Sequence, residues 1–239
     1  MPDQRKHRGP HPEEQRLFAF ENWPRLREAT NDLSWLLTRG YASPSALKIV
    51  GDRYSLDARQ RLAIARCACG DAAIARRRQH QVSAADVEGQ ELWIDGYNVL
   101  TSIESALSGG VILHAHDGCY RDMASMHGTY RSVEETIPAL RIAGELAVEW
   151  KVARCHWFFD QPVSNSGRLK TVLLAIAAEH SWNWQAELAP APDQVLCQCN
   201  QIVATADSHI LDCAQRWFNM ARLAIDLRIG GAWIVDLSG

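Results

Sequence analysis

The chain lacks any long apolar run. Its longest uninterrupted candidates, such as 171–178, fall short of the ~18–20 residues that cross a bilayer, so no membrane helix is expected. The first eleven residues are polar and charged, without the apolar segment of a secretory signal, and the expectation is a soluble cytoplasmic protein. Cysteine is sparse and odd in number, seven in 239 residues, which argues against a disulfide framework and for reduced thiols. No P-loop, GxGxxG, GxSxG or HExxH pattern is present, which removes the commonest nucleotide, esterase and zinc-protease readings. Internal repeats and low-complexity tracts are missing too.

What is present is an ordinary globular composition, 47% hydrophobic and 22% charged, able to bury a core. The net charge of −3 hides an asymmetry. Residues 1–88 carry 15 basic and 11 acidic side chains; residues 89–239 carry 10 and 17. Two parts with different tasks are expected, 1–88 and 89–239. The front reads as a small all-helical domain. Leu33, Leu36 and Leu37 sit at helical spacing before Gly40, Ser43-Pro44 opens another helix, and 56–69 forms a third before Gly70. A last short helix carries Arg76, Arg77 and Arg78, a source of non-specific attraction to nucleic-acid backbone.

After Val82 the texture changes. Short apolar runs end on an acid at 91–95, 155–160, 202–207 and 223–226, with helical stretches at 133–150, 167–180 and 208–218, and 232–235 as an edge strand. Strands alternating with amphipathic helices predict an α/β domain around a mostly parallel sheet. In such a sheet the carboxyl ends of the strands share one edge, where ligands bind. Asp95, Asp160, Asp207 and Asp226 would converge there. Crowded carboxylates raise one another's pKa unless a cation sits among them, and an oxygen-only donor set suits Mg²⁺ or Mn²⁺. Aspartate also ends strands simply because it favours turns.

The motifs themselves carry a resemblance. Asp95-Gly96-Tyr97-Asn98 resembles the opening DGYN turn of the NYN, YacP-like branch of PIN-like nucleases; Phe159-Asp160 resembles its FD strand, and Thr205-Ala206-Asp207 with Ile210 its TADxxI motif. The resemblance spans about 91–236, within a helical-front, PIN-like-rear arrangement similar to that of an uncharacterised prokaryotic family. It implies a Rossmannoid PIN-like fold and metal-dependent endonucleolytic cleavage of RNA, structured or tRNA- and rRNA-like. By position, Asp95, Asp160 and Asp207 would be catalytic metal ligands, Asp226 an outer ligand, and Asn98 a support of the first turn or a substrate contact. The resemblance also implies a helix-borne acid near Glu134 or Glu135. A haloacid-dehalogenase-type phosphatase is excluded because Tyr97 stands where a second acid is needed.

Around this core, 162–167 joins a strand to a helix, and Ser164, Asn165 and Ser166 with Arg168 and Lys170 are expected to contact phosphate; an ordinary helix cap is the plain alternative. The insertion 109–130 is expected to be a substrate-facing loop, with Arg121, His127 and Arg131 on phosphate and Tyr130 stacking on a base. A zinc site from His114, His116 and Cys119 matches no standard spacing, and pairing Cys67 and Cys69 with Cys197 and Cys199 is disfavoured on the same ground. The leading expectation is a Mg²⁺- or Mn²⁺-dependent endoribonuclease, the alternative a non-catalytic RNA- or nucleotide-binding module of the same fold, and a third a protein-interaction scaffold with scattered acids. Deleting 1–88 is expected to weaken nucleic-acid binding and leave the metal site intact.

Overall fold

A computed structural model describes residues 11–124 and 130–239. The front is helical, with α1 (Glu14–Leu17), α2 (Trp23–Thr38), α3 (Ser43–Arg53), α4 (Ala58–Cys67) and α5 (Asp71–His80). Pro24 and Pro44 sit in the first turns of α2 and α3, where the missing N–H costs no bond. Asp57 and Gln60 close a capping box at the start of α4.

The chain then lays down β1 (Gln81–Val82), β2 (Glu91–Asp95), α6 (Gly96–Leu107), β3 (Ile112–His114), β4 (Tyr120–Asp122), α7 (Thr136–Glu149), β5 (Arg154–Asp160) and α8 (Ser166–Glu179). It continues through β6 (Trp184–Ala189), α9 (Pro192–Gln198), β7 (Ile202–Ala204), α10 (Ser208–Cys213), β8 (Trp217–Phe218), α11 (Met220–Arg228) and β9 (Ile234–Asp236). Six strands form one sheet in the order β1-β8-β7-β2-β5-β6, and every pairing is parallel. The fold is α/β and Rossmann-like, with a helical region ahead of it. Burial explains the apolar strands: Leu92, Ile94, Trp157 and Phe159 are sealed beneath Val99, Ile103, Leu140 and Leu173 of the flanking helices.

The strand order has a functional consequence. From β2 the chain builds outward through β5 and β6, then returns to β7 on the other side of β2. The β2/β7 crevice is therefore the switch point, where an open parallel sheet leaves room for a ligand.

Three expectations are corrected here. The described part of the insertion, 109–124, is not simply a loop: Val111, Ile112 and Leu113 are fully buried, and β3 pairs with β4 and β9 in a second sheet of order β4-β3-β9. That sheet shares one core with the helical front, Val111, Leu113, Val235 and Leu237 packing with Leu26, Leu33, Ala46 and Ile64. The run 223–226 is helical. Met220, Ala221, Ala224 and Ile225 are its buried positions, a period near 3.6 that a four-residue window cannot distinguish from a strand. And 208–218 splits, because Trp217 and Phe218 leave the helix to pair with β7. Among the described residues, no helix is long and apolar enough to cross a membrane.

Candidate active site at the carboxyl edge of the sheet

Asp95 is the last residue of β2, and β2 runs between β5 and β7. Gly96 follows because nothing else fits: a Cβ there would lie 2.3 Å from the Phe159 ring and 2.7 Å from the Phe158 carbonyl oxygen. The chain turns directly into α6, which brings Asn98 back over the strand ends. Asn98 Oδ1 accepts a 2.7 Å bond from the Ala206 N–H, and Thr205 Oγ1 donates to Asp95 Oδ2 at 2.8 Å. These two bonds tie the turn after β2 to the segment after β7. Asp207, just beyond, accepts from the N–H groups of His209 and Ile210 and caps α10.

Asp160 ends β5, beside β2. The sequence motifs did not single out Asp193, which stands in the first turn of α9, four residues after β6. Four adjacent strands, β7, β2, β5 and β6, thus deliver Asp207, Asp95, Asp160 and Asp193 to one edge. Asp95, Asp193 and Asp207 line a cavity of about 410 Å³ with Tyr97, Asn98 and Ser208.

Electrostatics mark the cluster as crowded. Burial, with Asp207, Asp193 and Asp160 adding repulsion, pushes the Asp95 carboxyl up to about 7 against the pull of the Thr205 bond. Burial and Asp193 raise Asp160; burial and Asp207 raise Asp193. The donor set is all oxygen, the chemistry of Mg²⁺ or Mn²⁺, which take one or two protein carboxylates and fill the remaining positions with water or substrate. Among the described residues, no three His, Cys, Asp or Glu side chains already stand in metal-holding geometry. Asp95, Asp193 and Asp207 fit such an ion as an oxygen-lined cavity, not as a finished cage.

Other expected site residues fall elsewhere. Asp226 is the clearest correction: it lies on α11, 3.5 Å from Arg222 one turn back, because its run is helical and faces away from the sheet edge. Glu134 is exposed in the turn before α7, Glu135 is buried at that helix's start, and neither lines the cavity. Ser164, Asn165, Ser166, Arg168 and Lys170 follow Asp160 but do not line it either. Asn165 takes a left-handed φ of 69° and its Nδ2 donates to the Tyr130 carbonyl, so it fastens the turn instead of facing a phosphate. Arg131 is exposed away from the cavity, and His127 lies outside the described residues.

Arg121 lines the cavity and Tyr130 does not, but the polar ends of both are engaged inside the fold. Arg121 is buried and gives its donors to Asp117, the Ala206 carbonyl and the Arg66 carbonyl. Tyr130 is 1% exposed and its hydroxyl donates to the Glu104 carboxylate at 2.6 Å, so no base can stack on it. Arg77 likewise leaves the expected basic face. It bonds Asp117 at 2.6 Å, Asp212 at 2.8 Å and the Ser208 carbonyl at 3.1 Å. Arg77 of α5 holds the Ser208 carbonyl, and Arg121 of β4 links the Ala206 carbonyl to the Arg66 carbonyl of α4, so deleting 1–88 would remove contacts on both sides of Asp207.

His114 contacts Asp236 and His116 contacts Ser34, away from any shared metal position. Against the expectation of reduced thiols throughout, Cys197 and Cys213 form a disulfide that clamps α9 to α10, the helices carrying Asp193 and Asp207. Cys67, Cys69, Cys119 and Cys155 are buried and free.

Residues 84–223, more than half of the chain, match the family described as "Domain of unknown function (DUF5616)", and residues 25–80 match "Protein of unknown function (DUF434)". An uncharacterized protein of Methanocaldococcus jannaschii is 28% identical over 186 residues, covering 78% of this chain and 88% of its own. No solved structure matches. The chain belongs to the DUF5616 family, with a DUF434-like helical segment ahead of the matched domain.

Proposed function

We propose that the protein is a divalent-metal-dependent endoribonuclease of PIN-like type, hydrolysing phosphodiester bonds in structured RNA. The observation that carries this reading is the convergence of Asp95, Asp160, Asp193 and Asp207 at the switch point, with the Asp95 carboxyl raised to about 7. Carboxylates that repel one another destabilise the fold unless they meet a cation, so their gathering at a ligand edge favours a role in chemistry.

Asp95, Asp193 and Asp207 would hold Mg²⁺ or Mn²⁺, with Asp160 contributing charge from the adjoining strand. Bound there, such an ion would supply Lewis-acid stabilisation of the phosphoryl oxygens and would lower the pKa of a water so that hydroxide is available as the nucleophile. The chain's own groups set the geometry. Thr205 fixes one Asp95 oxygen, leaving the other for a ligand, and Asn98 locks the 205–207 segment against α6. Asp207 has its Oδ1 engaged by two amides, which orients the carboxylate without neutralising it.

The test is Mn²⁺-dependent cleavage of a pool of cellular RNAs by wild type, Asp95→Asn and Asp207→Asn. Cleavage that needs Mn²⁺ and is lost by at least 100-fold in both variants supports the reading. Equal cutting by all three overturns the site assignment. RNA binding without cleavage identifies instead a binding module on the same fold.

A further inference from the structure

The acidic cavity poses a problem for any phosphate-bearing ligand, because carboxylates alone repel it. Among the described residues lining the cavity, the cations are Arg121 and Arg66. Arg121 is spent: its side chain is 10% exposed, and its donors go to Asp117 and to the main chain of Ala206 and Arg66. Arg66 differs. It comes from α4 in the helical region, its side chain is 29% exposed, and it reaches the cavity wall across the boundary between the two parts of the chain.

Its present contacts aim it, and the Asp122 carboxylate, which lines the same cavity, offsets part of its charge. Nη1 and Nη2 donate to the main-chain carbonyls of Asp122 and Ala124. The Asp122 carboxylate is 3.8 Å away and is itself held in place by Thr101, Ser102 and the Ala124 amide, neutral donors that fix its orientation beside Arg66. A guanidinium has five N–H donors in a planar fork suited to phosphate, so donors remain for a ligand.

We propose that Arg66 is the cationic anchor for the phosphate group that enters this cavity, so that the helical region completes the site of the α/β domain. This rests on the reading of the cavity as a phosphodiester site and names the group that positions the substrate there. Arg66 would hold phosphate oxygens opposite Asp95, Asp193 and Asp207, the residues that would hold a divalent cation.

The test uses the full chain and separates anion anchoring from ion binding and from cleavage. Inorganic pyrophosphate binding in the presence of Mg²⁺ is measured by calorimetry, and Mn²⁺ binding by electron paramagnetic resonance, on wild type, Arg66→Gln and Arg66→Lys. Glutamine can still donate to a carbonyl but carries no charge, and melting curves verify that each variant is folded. The expected result is a pyrophosphate affinity at least tenfold weaker for Arg66→Gln, an intermediate loss for Arg66→Lys, and Mn²⁺ affinity within twofold of wild type throughout. Wild-type pyrophosphate affinity in Arg66→Gln, or a wild type that does not bind pyrophosphate, overturns the proposal. Arg66-dependent pyrophosphate binding in a wild type that cuts no RNA keeps this anchor and sinks the nuclease reading.

Discussion

Asp117 and the aspartates of the sheet edge behave in opposite ways. Asp117 is buried between Arg77 and Arg121, and although burial alone disfavours its charge, the two guanidinium groups hold it down to about 2. Asp95 is enclosed at the sheet edge with Asp207, Asp193 and Asp160 as neighbours and is pushed up to about 7. The residue type is the same and burial opposes ionisation in both; the partners differ. The first is a fastening, paired and bonded inside the fold, and joins the helical region to the segment bearing Asp207. The second is a cluster of like charge which, on the proposed function, takes a cation from outside. A cluster of like charge is a functional signal because the fold gains nothing from it.

The comparison breaks most visibly through Asp117. Asp117→Ala leaves Arg77 and Arg121 buried without their shared partner, and removing one member of a buried pair costs about 3–5 kcal/mol. At 2–4 °C per kcal/mol for a chain of this size, melting should fall on the order of 10 °C. A fall of only a degree or two would mean that the pair is no fastening. The opposite change is expected at Asp95. Asp95→Asn removes the most strained charge of the cluster and should raise melting at pH 8 in the absence of divalent ions. Since Asp95 keeps some exposure, the raised pKa is discounted to about 2 kcal/mol, roughly 4–8 °C. A more stable and inactive variant is the signature of a functional carboxylate; a less stable one would make Asp95 structural.

The pH dependence sharpens the same contrast. Asp95 holds its proton more tightly when folded, so between about 4 and 7 the native state binds more protons than the unfolded chain, and stability contributed by this site falls as pH rises through that window. Asp117, with its folded value lowered, contributes stability that is present above about 4 and lost as pH falls toward 2. Melting curves of wild type and Asp95→Asn should therefore diverge from pH 4 upward and run parallel above 7. Curves that stay parallel from pH 4 to 8 would contradict the assignment. The smallest effect is on ion binding: apparent Mn²⁺ affinity should rise with pH up to about 7 and level off, as the cation displaces the Asp95 proton.

Much of the α/β part was legible in the sequence, because β2 and β5 are apolar runs that stop on Asp95 and Asp160 and the turn residues after them have one geometric solution. Gly96 and Asn98 are readable for that reason: one admits Phe159, the other closes on Ala206. The fourth acid was not. Asp193 sits within a Pro-rich connection that reads as a turn, and only the order of strands reveals that α9 starts at the same edge. Asp226 looked equivalent because a run of four residues carries no period, whereas the buried positions around it follow the helix α11 and leave Asp226 exposed. The insertion misled through composition: its Arg, His, Tyr and Asp residues suggest an exposed loop, yet Val111, Ile112 and Leu113 draw it beneath the helical front, and Arg121 and Tyr130 turn inward with it. Pairing across the two parts of the chain, as between Arg77 and Asp117, leaves no local trace at a separation of 40 residues.

The central claim is that the strand-end aspartates are arranged for a cation that the polypeptide does not supply. Thermal melting of wild type and Asp95→Asn at pH 7.5, with and without Mn²⁺, tests it directly, since a ligand that binds only the folded state raises its stability by mass action. The account predicts that Mn²⁺ raises the wild-type midpoint by several degrees, while Asp95→Asn starts higher and moves little. A wild-type midpoint indifferent to Mn²⁺, or an equal rise in both proteins, would contradict it.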